Sequence, residues 1–307
     1  MKTPQDLPFL KAVCWQLDEI DHLTPQEKLQ RYERGWQYRG VLADLSAEEA
    51  AFVRELGRRY GSWLAMSFTQ DHHQRILTVL NAINAILLKR CEVYFGGGTL
   101  LALTHDEYRL SQDIDFLCAS QLGYRQLRQA IFEQGHSALF TNTSQLSFPR
   151  EIQADQYGIR FPVVCEEVSI KFEVVREGRI EFAAPERFDS LPVACLGRTD
   201  STAEKLLANA DRWPDTSVLS RDLIDLAVLR LPGPLPQAAF AKAEAAYLVV
   251  EPLKRAIANF QAKPDYRERC YQGLKVRSPK QVIDGLDLLA SDFGLPTTER
   301  TDLEAGT

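Results

Sequence analysis

A chain of 307 residues, 45% hydrophobic and 25% charged, can bury a sizeable core and hold a main domain with one or two companions. Its net charge of −6 excludes a purely electrostatic nucleic-acid binder but leaves room for a local basic patch. Six scattered cysteines without metal-ligand spacing, no apolar signal core after Met1, and no run long enough to span a bilayer make the expectation a cytoplasmic protein with no membrane contact. Residues 1–70 predict an N-terminal helical extension. Thr24-Pro25-Gln26-Glu27 and Ser46-Ala47-Glu48-Glu49 read as capping boxes, and Phe52, Leu56 and Tyr60 form a core-facing stripe. Lys28, Arg31, Arg34 and the pair Arg58-Arg59 read as solvated helix faces, with nucleic-acid contact as the alternative.

Residues 71–195 carry the pattern on which the function turns. Asp71 is expected to cap a helix over 72–89 that is apolar nearly all round and therefore buried. A short strand, Val93 to Phe95, then runs into Gly96-Gly97-Gly98 and a periodic apolar stretch. Glycines just before a helix let backbone N–H groups approach phosphates, and the helix N-terminus adds partial positive charge. A second strand follows with Asp113 and Asp115 on one face, because strand side chains alternate. Two carboxylates so close repel unless a cation lies between them, and Mg²⁺ suits one or two carboxylates plus substrate phosphates. Glycine turn and aspartate strand together predict a site for a nucleoside triphosphate.

Gly97-Gly98-Thr99-x-Leu101-Ala102-Leu103, followed by Arg109-x-Ser111-x-Asp113-Ile114-Asp115-Phe116, resembles the first motif of the AbiEii/AbiGii-type nucleotidyltransferases. These belong to the polymerase-β-like superfamily and include toxins of bacterial toxin–antitoxin systems. The resemblance implies an α/β fold: a polymerase-β-like core, a small mixed sheet with flanking helices. It also brings Gly97, Gly98, Thr99, Arg109 and Ser111 into the nucleotide site, with the Thr99 hydroxyl helping to cradle phosphates.

Farther on, a helix is expected over 124–134, ended by Gly135, then strands over 159–164, 168–175 and 179–182 with a turn at Glu177-Gly178. Within the middle strand Lys171 and Glu173 share one face. Superfamily members draw a third carboxylate from a neighbouring strand, which makes Glu173 the candidate third metal ligand; the alternative is a strand whose Lys171 and Glu173 merely face water. Residues 196–295 predict a C-terminal helical domain, and 296–307 a disordered tail. Ser201-Thr202-Ala203-Glu204 reads as another capping box. Glu204-Lys205-Leu206-Leu207-Ala208, Arg212 and Arg221-Asp222-Leu223-Ile224-Asp225-Leu226 are similar to the later motifs of the same family. That similarity implies that Lys205 meets the triphosphate and that Asp222 is an active-site acid. The alternative is an Arg221–Asp225 helical ion pair with a solvated Lys205. Between Lys254 and Lys280 eight basic residues gather.

The resulting expectation is a Mg²⁺-dependent nucleotidyltransferase with Asp113, Asp115, Lys205 and Asp222 as catalytic residues and Asp113, Asp115 and Glu173 as metal ligands. The resemblance implies a toxin with a cognate antitoxin and RNA, including the tRNA 3′ end, as acceptor. A protein-modifying (AMPylating) enzyme, an antibiotic-modifying enzyme and a catalytically idle binding relative stand as alternatives.

Overall fold

The computed structural model describes residues 3–4, 6–17, 20–38, 42–43, 45–60, 62 and 69–305. Its contacts separate into two compact units, Met1–Phe68 and Thr69–Thr307. The expected core and C-terminal helical domains both fall within the second unit.

In the first unit, α1 (Pro8–Val13), α2 (Pro25–Gly35) and α3 (Ala47–Tyr60) bury Phe9, Leu10, Tyr32, Phe52 and Leu56. The Thr24–Glu27 box closes in both directions. At Ser46 only half a box forms. The hydroxyl accepts from the Glu49 N–H, but the Glu49 carboxylate is fully buried and accepts from the Phe9 and Leu10 N–H groups and the Tyr32 hydroxyl. One acid thereby ties α1, α2 and α3 together. Lys28 is buried rather than solvated, Tyr60 is partly exposed, and the Arg58 side chain lies outside the described residues.

The second unit opens with α4 (Asp71–Ala82) and α5 (Ala85–Arg90) in place of the single expected helix. The chain is extended at Ile83, and the Asn84 side chain restarts the helix by accepting from the Leu87 N–H at 3.1 Å. Then come β1 (Val93–Phe95), α6 (Gly97–Thr104), β2 (Ile114–Cys118), α7 (Gln121–Gln134) and α8 (His136–Leu139). β3 (Leu146–Ser147), β4 (Gln153–Ala154), β5 (Gly158–Cys165) and β6 (Val168–Arg176) complete a six-stranded sheet of order β1-β2-β6-β5-β3, with β4 also on β5. The sheet is mixed, because β2 and β6 run parallel while the other pairs are antiparallel.

Alternation gives that sheet two unlike faces. Phe95, Phe116, Phe172 and Phe161 stack in a row, with successive ring centroids 5.4, 5.5 and 4.8 Å apart. Asp115 and Glu173, each one residue from a stacked phenylalanine, are register partners on the opposite face. Burial of the rings therefore fixes where the acids point.

The β5–β6 hairpin turns at Glu166-Glu167, with φ of 48° and 62°. Two left-handed residues match the twist of the flanking strands, a job ordinarily given to Asn and Gly. Residues 179–182 form no strand; Glu177 instead accepts from the Arg179 N–H at 2.5 Å.

α9 (Arg198–Arg212) starts three residues before Ser201, so the expected capping box lies inside the helix. α10 (Arg221–Arg230), α11 (Gln237–Glu244), α12 (Val250–Gln261), α13 (Pro264–Gly273) and α14 (Pro279–Asp292) share a core with Leu101 and Ala102 of α6. α6 is thus clamped between sheet and helices. Within the stretch expected as a disordered tail lies a short helix, α15 (Asp302–Ala305), whose fully buried Glu304 receives Arg267 at 2.7 and 3.0 Å and the Tyr271 hydroxyl at 2.7 Å. That pairing also removes Arg267 from the expected basic face; residues 306 and 307 lie outside the described residues. No described helix is long and apolar enough to cross a membrane.

Candidate active site

α6 begins where β1 ends, hard against β2. Gly97 has φ of +69°, and a β-carbon there would lie 2.6 Å from Asp115 Oδ2. One on Gly98 would collide with the Arg109 guanidinium. Glycine at both positions lets the helix start approach the aspartate strand. Thr99 departs from expectation. It is fully buried, its hydroxyl donating to the Asp113 carbonyl at 2.5 Å and lying 2.8 Å from Ser111 Oγ. It braces the loop instead of facing a ligand.

Against this helix start lies an open cavity of about 440 Å³. One wall comes from the sheet and its loops: Gly97, Gly98, Ser111, Asp113, Asp115 and Glu173. Burial, and then the neighbouring Asp113, push the Asp115 pKa above the ordinary carboxylate value. Glu173 stands beside Asp115, but its two oxygens are taken by Arg160 and Lys171. Burial opposes ionisation there, yet Lys171 and Arg160 hold Glu173 below the usual range. Among the described residues no three His, Cys, Asp or Glu side chains group as a metal site. Both Glu173 oxygens are thus engaged in ion pairs, while Asp113 and Asp115 are a pair suited to a divalent cation completed by phosphate and water oxygens.

The facing wall is a chain of alternating charge. Asp225, fully buried, receives Arg109 at 2.6 and 2.9 Å, the Tyr108 hydroxyl at 2.5 Å and Lys205 at 2.6 Å. Lys205 also donates to Asp222 Oδ1 at 3.0 Å, and Asp222 Oδ2 receives Arg212 at 2.7 Å. Burial alone would raise the pKa of Asp225, but Arg109 and Lys205 hold it well below the usual range. The alternative Arg221–Asp225 helical pair is not formed. Arg109 lines the cavity with its guanidinium spent on Asp225, and Asp222 does not line the cavity but lies behind Lys205 and Arg212. An ammonium has three donors, so two carboxylates leave Lys205 one for a ligand.

Sequence reasoning did not assign Lys171, Glu177, Arg179, Glu204, Arg212 or Arg221 to the site, and all six line the cavity. Lys171 and Arg212 were legible in principle, from the shared strand face with Glu173 and the seven-residue helical spacing from Lys205. For Glu177 and Arg179 the local pattern carries nothing. Burial, and then Glu177, push Glu204 up to about 8.

The family model for the AbiEii nucleotidyl transferase toxin of type IV toxin–antitoxin systems matches residues 78–280, more than half of the chain. The chain belongs to this family. It is accordingly a nucleotidyltransferase of the AbiEii toxin class, with the mixed α/β core already described. Membership implies a nucleoside triphosphate as substrate and an antitoxin as the partner in the system. A Helicobacter pylori protein described as an inferred nucleotidyltransferase is 16% identical, with a TM-score of 0.38 over 70% of this chain and 89% of its own. JHP933 from Helicobacter pylori is 13% identical, with a TM-score of 0.31 over 64% of this chain and 99% of its own. No curated protein matches the chain.

Proposed function

We propose that this AbiEii-family protein moves a nucleotidyl group from an NTP to a hydroxyl of RNA, with the tRNA 3′ end as acceptor, in the cytoplasm and with Mg²⁺ held by Asp113 and Asp115. The observation that carries the reading is the gathering, around one cavity, of the Asp113 and Asp115 carboxylates and the cations Lys205, Arg212 and Arg221 beside a glycine helix start. A triphosphate needs both: cations of the protein for its oxygens, and carboxylates for its metal. The donor set fits such an ion, because burial and Asp113 raise Asp115 against the weaker pull of Lys171 and Lys205, and no basic group among the described residues pairs with it. When bound, the ion neutralises phosphate charge and favours loss of the acceptor proton.

The chain's own residues do the rest. The Gly97 and Gly98 amides present donors to phosphate at the start of α6. Lys205, with one donor left, and Arg212 and Arg221 neutralise the leaving group. The acceptor oxygen bonds to the α-phosphorus in line, the bond to the bridging oxygen breaks, the hydroxyl proton leaves, and pyrophosphate departs.

The acceptor assignment is supported by the exposed Lys275 and Arg277, which follow directly on the cavity-lining Gly273 and Leu274. The test is to incubate the protein with each labelled NTP, Mg²⁺ and total cell RNA and protein. Label is expected in RNA and should fall steeply with added salt, as phosphate contacts release counterions. Reversing charge at Lys275, Arg277 and Lys280 should abolish RNA labelling while NTP binding persists. Label in a protein band would overturn the RNA assignment.

A further inference from the structure

Glu107 and His73 are buried, take no part in the chemistry above, and lie under the loop that carries Arg109, Ser111 and Asp113. Asp106 and Glu107 have φ of 55° and 50°, so the chain leaves α6 through a left-handed corner. The Glu107 carboxylate at that corner is fully engaged. Oε2 accepts from the Thr69 N–H and hydroxyl, both at 2.6 Å. Oε1 accepts from the Gln70 N–H at 3.1 Å and faces His73 Nδ1 at 2.8 Å.

On the other edge of the ring, His73 Nε2 lies 3.1 Å from the backbone nitrogen of Ser111. A backbone N–H can only donate, so Nε2 is the bare nitrogen and Nδ1 carries the proton shared with Glu107. One residue earlier, His72 Nε2 lies 2.8 Å from the carbonyl of Gln112. Consecutive residues of α4 thus hold backbone groups of two consecutive loop residues.

We propose that Glu107 and His73 are positioning residues for the nucleotide site. Glu107 fixes the imidazole tautomer, and the bare Nε2 holds the Ser111 N–H, so that Ser111 and Asp113 keep their places on the cavity. The inference rests on reading that cavity as the NTP site. It goes beyond capping: a carboxylate that merely closed the N-terminus of α4 would be indifferent to which ring nitrogen bears the proton.

Glu107→Gln separates the two roles. Its single oxygen must serve Thr69, which turns the amide NH₂ toward His73 and the Gln70 N–H; the loss at Gln70 is the same whatever stands at position 73. The ring then shifts its proton to Nε2, against the Ser111 N–H. Transfer from labelled NTPs to total cell RNA and protein, with kcat and KM for the NTP, should be compared for His73→Leu, His73→Gln, Glu107→Gln and the double Gln variant. His73→Leu and Glu107→Gln should each raise KM about tenfold or more, the loss for one misplaced hydrogen-bonding group. His73→Gln, whose Oε1 takes the place of Nε2 as acceptor, should stay within about threefold of the parent. Added to His73→Gln, the Glu107→Gln change should cost less than about twofold, because no tautomer remains to be set.

Equal cost of Glu107→Gln in both backgrounds, a fall in melting temperature with KM unmoved, or ¹⁵N spectra placing the His73 proton on Nε2 would each overturn the inference. The Asp113→Asn, Asp115→Asn double variant runs beside these. Transfer surviving in that variant would sink the reading of the cavity itself, whereas transfer lost there but untouched in His73→Leu would sink the positioning role alone.

Discussion

Asp115 and Asp225 are the same residue type, one half-buried on the cavity and the other fully buried behind Arg109 and Lys205 of the wall across from it, and their acidities move in opposite directions. Burial and Asp113 raise Asp115, whereas Arg109 and Lys205 outweigh burial at Asp225 and hold it low. The difference lies in the company each keeps. Asp225 belongs to a self-sufficient chain of charge, Arg109–Asp225–Lys205–Asp222–Arg212, in which every carboxylate has a basic partner in contact. Asp115 is left beside a like charge on a strand whose other face is locked by stacked rings. One wall is a finished structure; the other keeps a carboxylate pair whose charge is only partly offset.

The comparison breaks most visibly under neutral substitution of each wall. Asp113→Asn with Asp115→Asn should reduce nucleotidyl transfer to background in a labelled-NTP assay. It should leave the melting temperature undiminished, since the change removes a repulsion. Asp225→Asn should do the reverse to stability, costing about 3–5 kcal/mol in urea unfolding, because Arg109 and Lys205 are left facing a neutral amide. If Asp225→Asn is as stable as the parent, the helix wall is not the finished structure described above.

What could be read from sequence divides along the same line. The aspartate wall is local: Gly97 to Asp115 spans one strand, one helix and one loop, so spacing alone brought those residues together. The glycines were read for their approach to phosphate, and the same freedom admits Asp115 and Arg109 beside them. The charged wall depends on partners far apart in the chain. Arg109 and Asp225 are separated by 116 positions, and nothing near either names the other. Thr99 and Arg109 were accordingly placed in the site by motif, yet one braces the Asp113 carbonyl and the other serves Asp225. Glu173 was on the right face beside Asp115, but Arg160, which helps to take its oxygens, comes from a cross-strand register that periodicity does not reveal. Arg267 passed for a surface charge because its acid, Glu304, lies in a stretch polar enough to look disordered.

Lys205 sharpens the comparison at smaller magnitude, since it belongs to the finished wall yet keeps one donor for a ligand. Lys205→Ala should weaken NTP binding or turnover by about 1–3 kcal/mol, the range for losing a charged hydrogen bond. Lys254→Ala is the control, its ammonium paired with Glu251 at 3.0 Å outside the cavity. Equal small effects on NTP affinity for both variants would reduce Lys205 to a strut.

The smallest effect is expected where the walls meet. Glu177 follows β6 and Glu204 projects from α9; both line the cavity and both face Arg179. Glu177 holds the guanidinium at 2.6 Å, leaving Glu204 at 3.5 Å with Oε1 buried and unpartnered among the described residues. Burial and the Glu177 charge therefore favour the protonated form of Glu204, whose pKa rises from 4.5 to about 8. The sign follows directly. Between those values the folded chain binds a proton that the unfolded chain has lost, so stability is fullest below about 4.5 and falls as pH rises through about 8. Glu204→Gln keeps the shape without the titration. Its stability relative to the parent should grow by about 1 kcal/mol between roughly pH 6 and 7, read as a shift in urea midpoint. Parallel pH profiles for the two proteins would mean that Glu204 is already ionised at neutral pH, and that the seam between the walls carries the same unmet negative charge as the aspartate wall itself.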